Sequence, residues 1–210
     1  MAERSYRVLL WGLALLGLTL DQGTKYSVFS WLYNQGHGDV RPIIPGAFDI
    51  LAQYTYPPEY DTGNHLLSPL RTWSGPIQPR VNRGALFGIG NGDNGWYANL
   101  VFAVVSLVAA IAIMVWSTRR SLVRDAWLST ALGLILGGTL GNLYDRVVFL
   151  GVRDFLHWHG GFDWPVFNIA DCCLVVGASL LLLQALLGQP VQSPTDMTVA
   201  AESETTPAAS

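Results

Sequence analysis

Four aspartates, Asp145, Asp154, Asp163 and Asp171, fall within GGTLGNLYDRVVFLGVRDFLHWHGGFDWPVFNIAD, residues 137–171. Asp145 and Asp171 lie within or at the ends of apolar helix candidates. An ionisable group at membrane depth is costly unless paired or wetted, which makes each a functional candidate. Two carboxyls that share a site cannot both ionise cheaply, so one keeps a proton near neutral pH. The ionised member can take a proton from water as it attacks a peptide carbonyl. The protonated member can polarise that carbonyl and help the amine depart. This is the logic of soluble aspartic proteases, and it needs neither a nucleophilic side chain nor a metal.

Composition says what must position these acids. Only 13% of the 210 residues are charged, against ~25% in ordinary soluble chains. A net charge of −3, with no basic run, gives no support for nucleic-acid binding. The pattern is that of one integral membrane domain over residues 1–187, followed by a polar, Pro-, Ser- and Thr-rich tail over 188–210 expected to be disordered and cytoplasmic. Four membrane helices are expected, at about 7–32, 96–116, 126–148 and 165–187, making an all-α membrane protein with a small extracytoplasmic β element at about 34–92. The first apolar run follows Arg4 and Arg7 and lacks a small-x-small cleavage site, so it reads as an uncleaved helix. Arg119, Arg120 and Arg124 mark the loop after the second helix as cytoplasmic, which places both termini inside.

In this topology Asp145 and Arg146 end the third helix on the outer side. Asn168 and Asp171, at i,i+3, share a face at the start of the fourth. Asp154 and Asp171 can therefore converge from two elements at the outer surface. Asp145 beside Arg146 could equally form a local ion pair or a helix-end anchor. Asp21 precedes Lys25 at i,i+4, the favourable order for a structural helical pair. Gly137, Gly138 and Gly141 suit close helix packing. Asp163 reads as a solvated loop acid, and Asn168 could simply cap the fourth helix. A proton- or ion-handling membrane protein competes with a protease on these residues alone, and a non-catalytic packing role is a further alternative. No internal repeat supports an inverted-repeat transporter.

Cys172 and Cys173 are adjacent in an apolar run and suggest neither a structural disulfide nor zinc. His157 and His159 could share one side of a strand, but the spacing offers no further ligand, so no metal and no cofactor is expected.

The motifs DQGTK (21–25), NRGALFG (82–88), GGTLGNLYDR (137–146), VRDF (152–155) and FNIAD (167–171) resemble, in order, those of bacterial lipoprotein signal peptidase, the signal peptidase II family. The resemblance covers about residues 5–187. Any one motif is weak, whereas five in order are specific. It implies an aspartic endopeptidase of the bacterial inner membrane with its active site near the extracytoplasmic face. Such an enzyme removes the signal peptide of a prolipoprotein just before the diacylglyceryl cysteine. The family's catalytic pair carries over to Asp154 and Asp171. Asn82, Gly84, Asn142, Asp145, Arg146, Asn168 and Ala170 match positions that support the site or contact substrate, and Asp21 matches a structural acid. The resemblance further implies diacylglyceryl prolipoproteins as substrates, contact with membrane phospholipid, inhibition by globomycin-type cyclic peptides, and a monomer. Neither cysteine lies near the N-terminus, so the chain is expected to process lipoproteins and not to be one. One departure is a long insertion, about 57–79, between AQYTY and VNRG. It falls in the β region expected to cover substrate.

Overall fold

A computed structural model describes residues 5–34, 37–56, 66–71, 77–84, 95–119 and 125–187. Four α-helices dominate it: α1 (Arg7–Trp31), α2 (Gly95–Ser117), α3 (Ala126–Val148) and α4 (Ile169–Leu187). Three of them, α2, α3 and α4, are long and apolar enough to cross a membrane. The 25-residue α1 matches them in length, but its DQGTK segment makes it more polar. Helix α3 is central and packs against α1, α2 and α4.

Glycine explains how closely α3 is approached. A Cβ at Gly137 would lie 2.8 Å from the Ala14 carbonyl oxygen on α1, and one at Gly138 would collide with the Ala170 carbonyl on α4. Hydrogen side chains on both faces let the neighbouring backbones meet α3 directly. The opposite faces of α2 and α4 present Leu100, Val104, Val108, Val175, Leu182 and Leu186 outward, as a lipid-facing surface requires. Trp31, Trp96, Trp116 and Trp127, near helix ends, are also exposed, the usual place for interfacial anchors.

Beside the helices lies a small antiparallel sheet of order β1–β2–β5, from Val40–Ile44, Phe48–Leu51 and Leu156–Trp158, with a second pair, β3 (Tyr54–Thr55) and β4 (Gln78–Pro79). Gly46, at φ +77°, sits in the tight turn between β1 and β2, closed by Ala47 N–H donating to Ile44 O at 2.9 Å. Proline followed by a positive-φ glycine is the sequence requirement of a type II turn. Phe29, Leu32, Ala52 and Phe155 form a buried cluster that fastens the sheet to α1.

Strand β5 joins β2 from outside the 34–92 region, on the segment where His157 and His159 could share one side of a strand, through a long-range pairing invisible in local pattern. One helix start needs correction. Helix α4 starts at Ile169, not at 165, because Phe167 still pairs with Leu156 and Pro165 donates no backbone hydrogen bond. Part of the insertion is described. Its short 3₁₀ turn, Ser68–Arg71, docks on the helices, with Tyr26 Oη donating to Leu70 O at 2.6 Å and Arg71 Nε to Val148 O at 2.9 Å. Residues 57–65 and 72–76 of the insertion, residues 85–88 of NRGALFG, Arg4, Arg120, Arg124 and the tail lie outside the described residues.

Candidate active site

The motif FNIAD builds the start of α4. Asn168 immediately precedes the helix; its Oδ1 accepts from Asp171 N–H at 3.0 Å, while Asp171 Oδ2 accepts from Asn168 N–H at 3.1 Å. This is a reciprocal capping box made with Asn and Asp, satisfying two backbone donors at once. It locks the Asp171 carboxylate at the positive end of the helix dipole. Its other oxygen, Oδ1, accepts from Asn142 Nδ2 of α3 at 2.8 Å.

Asp154 arrives from the connection between α3 and β5. Asn82 and Val152 exchange two backbone hydrogen bonds, each 2.8 Å, and Phe155 N–H donates to Phe167 O at 3.0 Å. Arg153 and Asp154, between these anchors, are thereby held in place. Asp154 Oδ1 accepts from Asn168 Nδ2 at 2.7 Å and Oδ2 from Asn82 Nδ2 at 3.2 Å. Asn168 thus holds both carboxyls, one through its amide and the other through its backbone. Burial, and then the nearby Asp171 charge, pushes the Asp154 carboxyl up to about 7.

Beneath this pair is a sealed ionic layer. Asp21, Lys25, Asp145 and Arg153 have fully buried side chains. Lys25 Nζ lies 2.8 Å from Asp21 Oδ2 and 3.4 Å from Asp145 Oδ2. Arg153 Nη2 donates to Asp145 Oδ1 at 2.9 Å, and Arg153 Nε and backbone N–H both donate to Oδ2, at 3.1 and 2.8 Å. The guanidinium packs against the rings of both Tyr26 and Phe149, 4.3 and 3.8 Å from their centroids. Gln22 joins the layer by donating to Asp145 Oδ1 at 3.1 Å and accepting from Arg153 Nη2 at 2.9 Å. Asp21 Oδ1 accepts from Ala170 N–H at 3.0 Å.

Among the described residues, Asn142 bridges the layer and the acid pair by side-chain hydrogen bonds. Lys25 Nζ donates to Asn142 Oδ1 at 3.2 Å, and Asn142 Nδ2 in turn donates to Asp171. The lysine orients the amide, and the amide presents its N–H to the carboxylate. Gly141 admits this arrangement, since a Cβ there would come 2.5 Å from Asp21 Oδ2.

Asp145 and Arg146 do not join as a local pair. Asp145 faces Lys25 and Arg153, whereas Arg146 turns to the other side of α3, where Nη2 donates to Gly84 O at 3.2 Å and Nη1 to Asn99 Oδ1 at 3.4 Å. Adjacent helical residues point about 100° apart, which is why sequence neighbours diverge here. Asp163 is exposed and meets His157 at 2.7 Å. Of the residues singled out from sequence, Asn82, Asn142, Asn168, Asp154 and Asp171 form one hydrogen-bonded group, Asp21, Lys25 and Asp145 form the layer below, and Arg146 and Gly84 lie to one side. Sequence reasoning missed Gln22, Asn99 and Arg153. The signal was present for two of them: Gln22 is the second residue of DQGTK and Arg153 the second of VRDF, polar groups inside an otherwise apolar chain.

The family model described as signal peptidase (SPase) II matches residues 70–187. A lipoprotein signal peptidase of Rhodopirellula baltica is 37% identical over 190 residues, covering 84% of this chain and 71% of its own length. One from Nitratidesulfovibrio vulgaris is 35% identical over 191 residues, covering 90% of this chain and 95% of the relative. In fold, a bacterial membrane enzyme solved by the in meso method superposes with a TM-score of 0.65 at 23% identity, covering 91% of this chain and 99% of that one. With a family model matched over more than half of its length and a relative matched nearly end to end, the chain belongs to the signal peptidase II family of membrane peptidases.

Proposed function

We propose that this protein is a membrane aspartic endopeptidase that removes the signal peptide from diacylglyceryl-modified prolipoproteins, cutting just before the lipidated cysteine. The relatives named lipoprotein signal peptidase support the substrate class. The observation that carries the mechanism is the joint hold of Asn168 on Asp154 and Asp171.

Asp154, whose carboxyl is pushed up to about 7, carries the proton in the resting pair. Asp171, the acceptor of two N–H groups at the start of α4, is the base. Water attacks the scissile carbonyl carbon and gives a proton to Asp171, while Asp154 gives its own to the carbonyl oxygen. The resulting gem-diol collapses: the proton on Asp171 passes to the leaving amine, and a hydroxyl proton returns to Asp154. A new peptide carboxyl and a free amine are released, and the pair is restored.

Four spans with both termini cytoplasmic suit this reading. At 1.5 Å per residue, the 25 residues of α1 reach roughly 38 Å, enough to cross a bilayer core. Arg7 Nε and Nη2 donate to Ser117 O and Thr118 O, each at 3.0 Å. The start of α1 and the end of α2 therefore lie together, beside the arginine-rich connection and away from the acid pair. On this topology the site opens near the extracytoplasmic face of the inner membrane, the diacylglyceryl chains stay in the phospholipid, and the signal helix packs along the exposed apolar faces. The enzyme works as a monomer, and globomycin-type cyclic peptides compete for the site.

A gel-shift assay in detergent tests the proposal, with diacylglyceryl and non-lipidated precursors run beside Asp154→Asn and Asp171→Asn. Cleavage of the lipidated form alone, lost in both folded variants, is the expected result. Near-normal cleavage by either variant would sink the mechanism.

A further inference from the structure

A second cluster of ligand-type side chains lies on the three-stranded sheet. Asp49 of β2 and His157 of β5 are direct cross-strand partners, so their side chains share a face. His159, two residues on, returns to that face, and its N–H donates to Ala47 O at 2.8 Å, continuing the pairing past β5. One ligand atom from each of the three lies within 4.8 Å of the other two. His159 Nε2 is 3.0 Å from Asp49 Oδ2, and His157 Nε2 is 2.7 Å from Asp163 Oδ1. The imidazole rings lie 5.2 Å apart, tilted by 37°.

We propose that Asp49, His157 and His159 bind a divalent first-row transition ion of the zinc class, with Asp163 closing the coordination as a fourth ligand. Two imidazoles and carboxylate oxygens suit Zn²⁺, whose bonds to such atoms are about 2.0–2.2 Å long. Tetrahedral bonds of that length set neighbouring ligand atoms ~3.3 Å apart, close to the two His–Asp separations already present. The three side chains are partly shielded, being 18–29% exposed, while Asp163 is open at 81%. An ion can thus enter from the Asp163 side and meet three ligands positioned by sheet register. Bound there, it would clamp β2 to the strand that begins two residues after Asp154.

The test uses the full chain in detergent, purified without a polyhistidine tag and stripped with chelator. Zn²⁺ is titrated calorimetrically, and Co²⁺ binding is followed by its visible absorption, which is intense only in tetrahedral sites. The expected result is one Zn²⁺ per chain, bound about tenfold or more weakly by His157→Gln and Asp49→Asn and with a smaller loss in Asp163→Asn. His159→Gln reads the same site should one of the others fail to fold. Folded wild type that binds no stoichiometric Zn²⁺ would overturn the proposal. So would undiminished binding by variants whose metal-free Tm matches wild type.

Discussion

Two acid pairs lie one above the other in this protein, and they are held by different means. Asp21 and Asp145 are matched by two buried cations, Lys25 and Arg153, at 2.8–3.4 Å. Among the described residues, Asp154 and Asp171 take every hydrogen bond from an asparagine: the amides of Asn82, Asn142 and Asn168, and the Asn168 backbone. A buried cation favours the charged form of the carboxylate beside it and ties it into an ion pair. A neutral amide orients a carboxyl while leaving it able to gain or lose a proton. On the proposed mechanism the lower pair holds helices and the upper pair exchanges protons with substrate. The lesson is that the partner of a buried carboxylate, more than its depth, separates structural from chemical roles.

The contrast breaks most severely if the roles are reversed by mutation. Asp154→Asn and Asp171→Asn should each lower kcat by about 10³-fold or more with little change in Tm, measured by single-turnover cleavage beside thermal unfolding. Asp145→Ala should do the converse, leaving Arg153 and Lys25 buried against a missing charge. The expected loss is about 3–5 kcal/mol of stability, read by unfolding in detergent; equal stability to wild type would mean that the ionic layer is not structural. Gly141→Ala should cost about 1–3 kcal/mol, because its methyl drives into the Asp21 carboxylate. Unfolding of this variant beside Gly23→Ala, where a Cβ meets nothing within 4 Å, would separate the clash from a general glycine effect.

A smaller effect sharpens the comparison from the upper pair. With Asp154 as the proton carrier, cleavage should decline as pH rises through about 7, as that proton is lost. The Asn82 amide favours the ionised Asp154, so Asn82→Ala should move this alkaline limb upward by a fraction of a pH unit. A downward movement in the pH–rate profile would contradict the assignment. Stability follows the same proton. Between the ordinary carboxyl value of 3.8 and about 7 the folded protein binds it and the unfolded chain does not, so stability falls as pH rises across that window. Asp154→Asn should flatten that slope.

Much of this was legible in residues alone. Helix α3 was expected at 126–148 and spans Ala126–Val148, because a long apolar run is bounded by the Asp125 cap and by a loop. Asp154, Asp171 and Asn168 stood out because polar groups are conspicuous in a chain with 13% charge, whereas Asn82 and Asn142 came only with the family resemblance. Helix periodicity also relates Asn168 to Asp171 and Asp21 to Lys25, since both pairs lie within one turn. Apolar helices and acid positions are thus written in local pattern, where apolar run length and i,i+3 or i,i+4 spacing act over a few residues.

Only the tertiary structure decided which charge meets which. Asp145 chose Arg153 and Lys25 over its neighbour Arg146, because the helix turns adjacent side chains apart. Lys25 reached Asn142 across 117 residues, and Asp49 reached His159 across 110. Contacts of that span depend on glycine-permitted helix packing and on strand register, properties of assembled backbones that no short window of sequence contains.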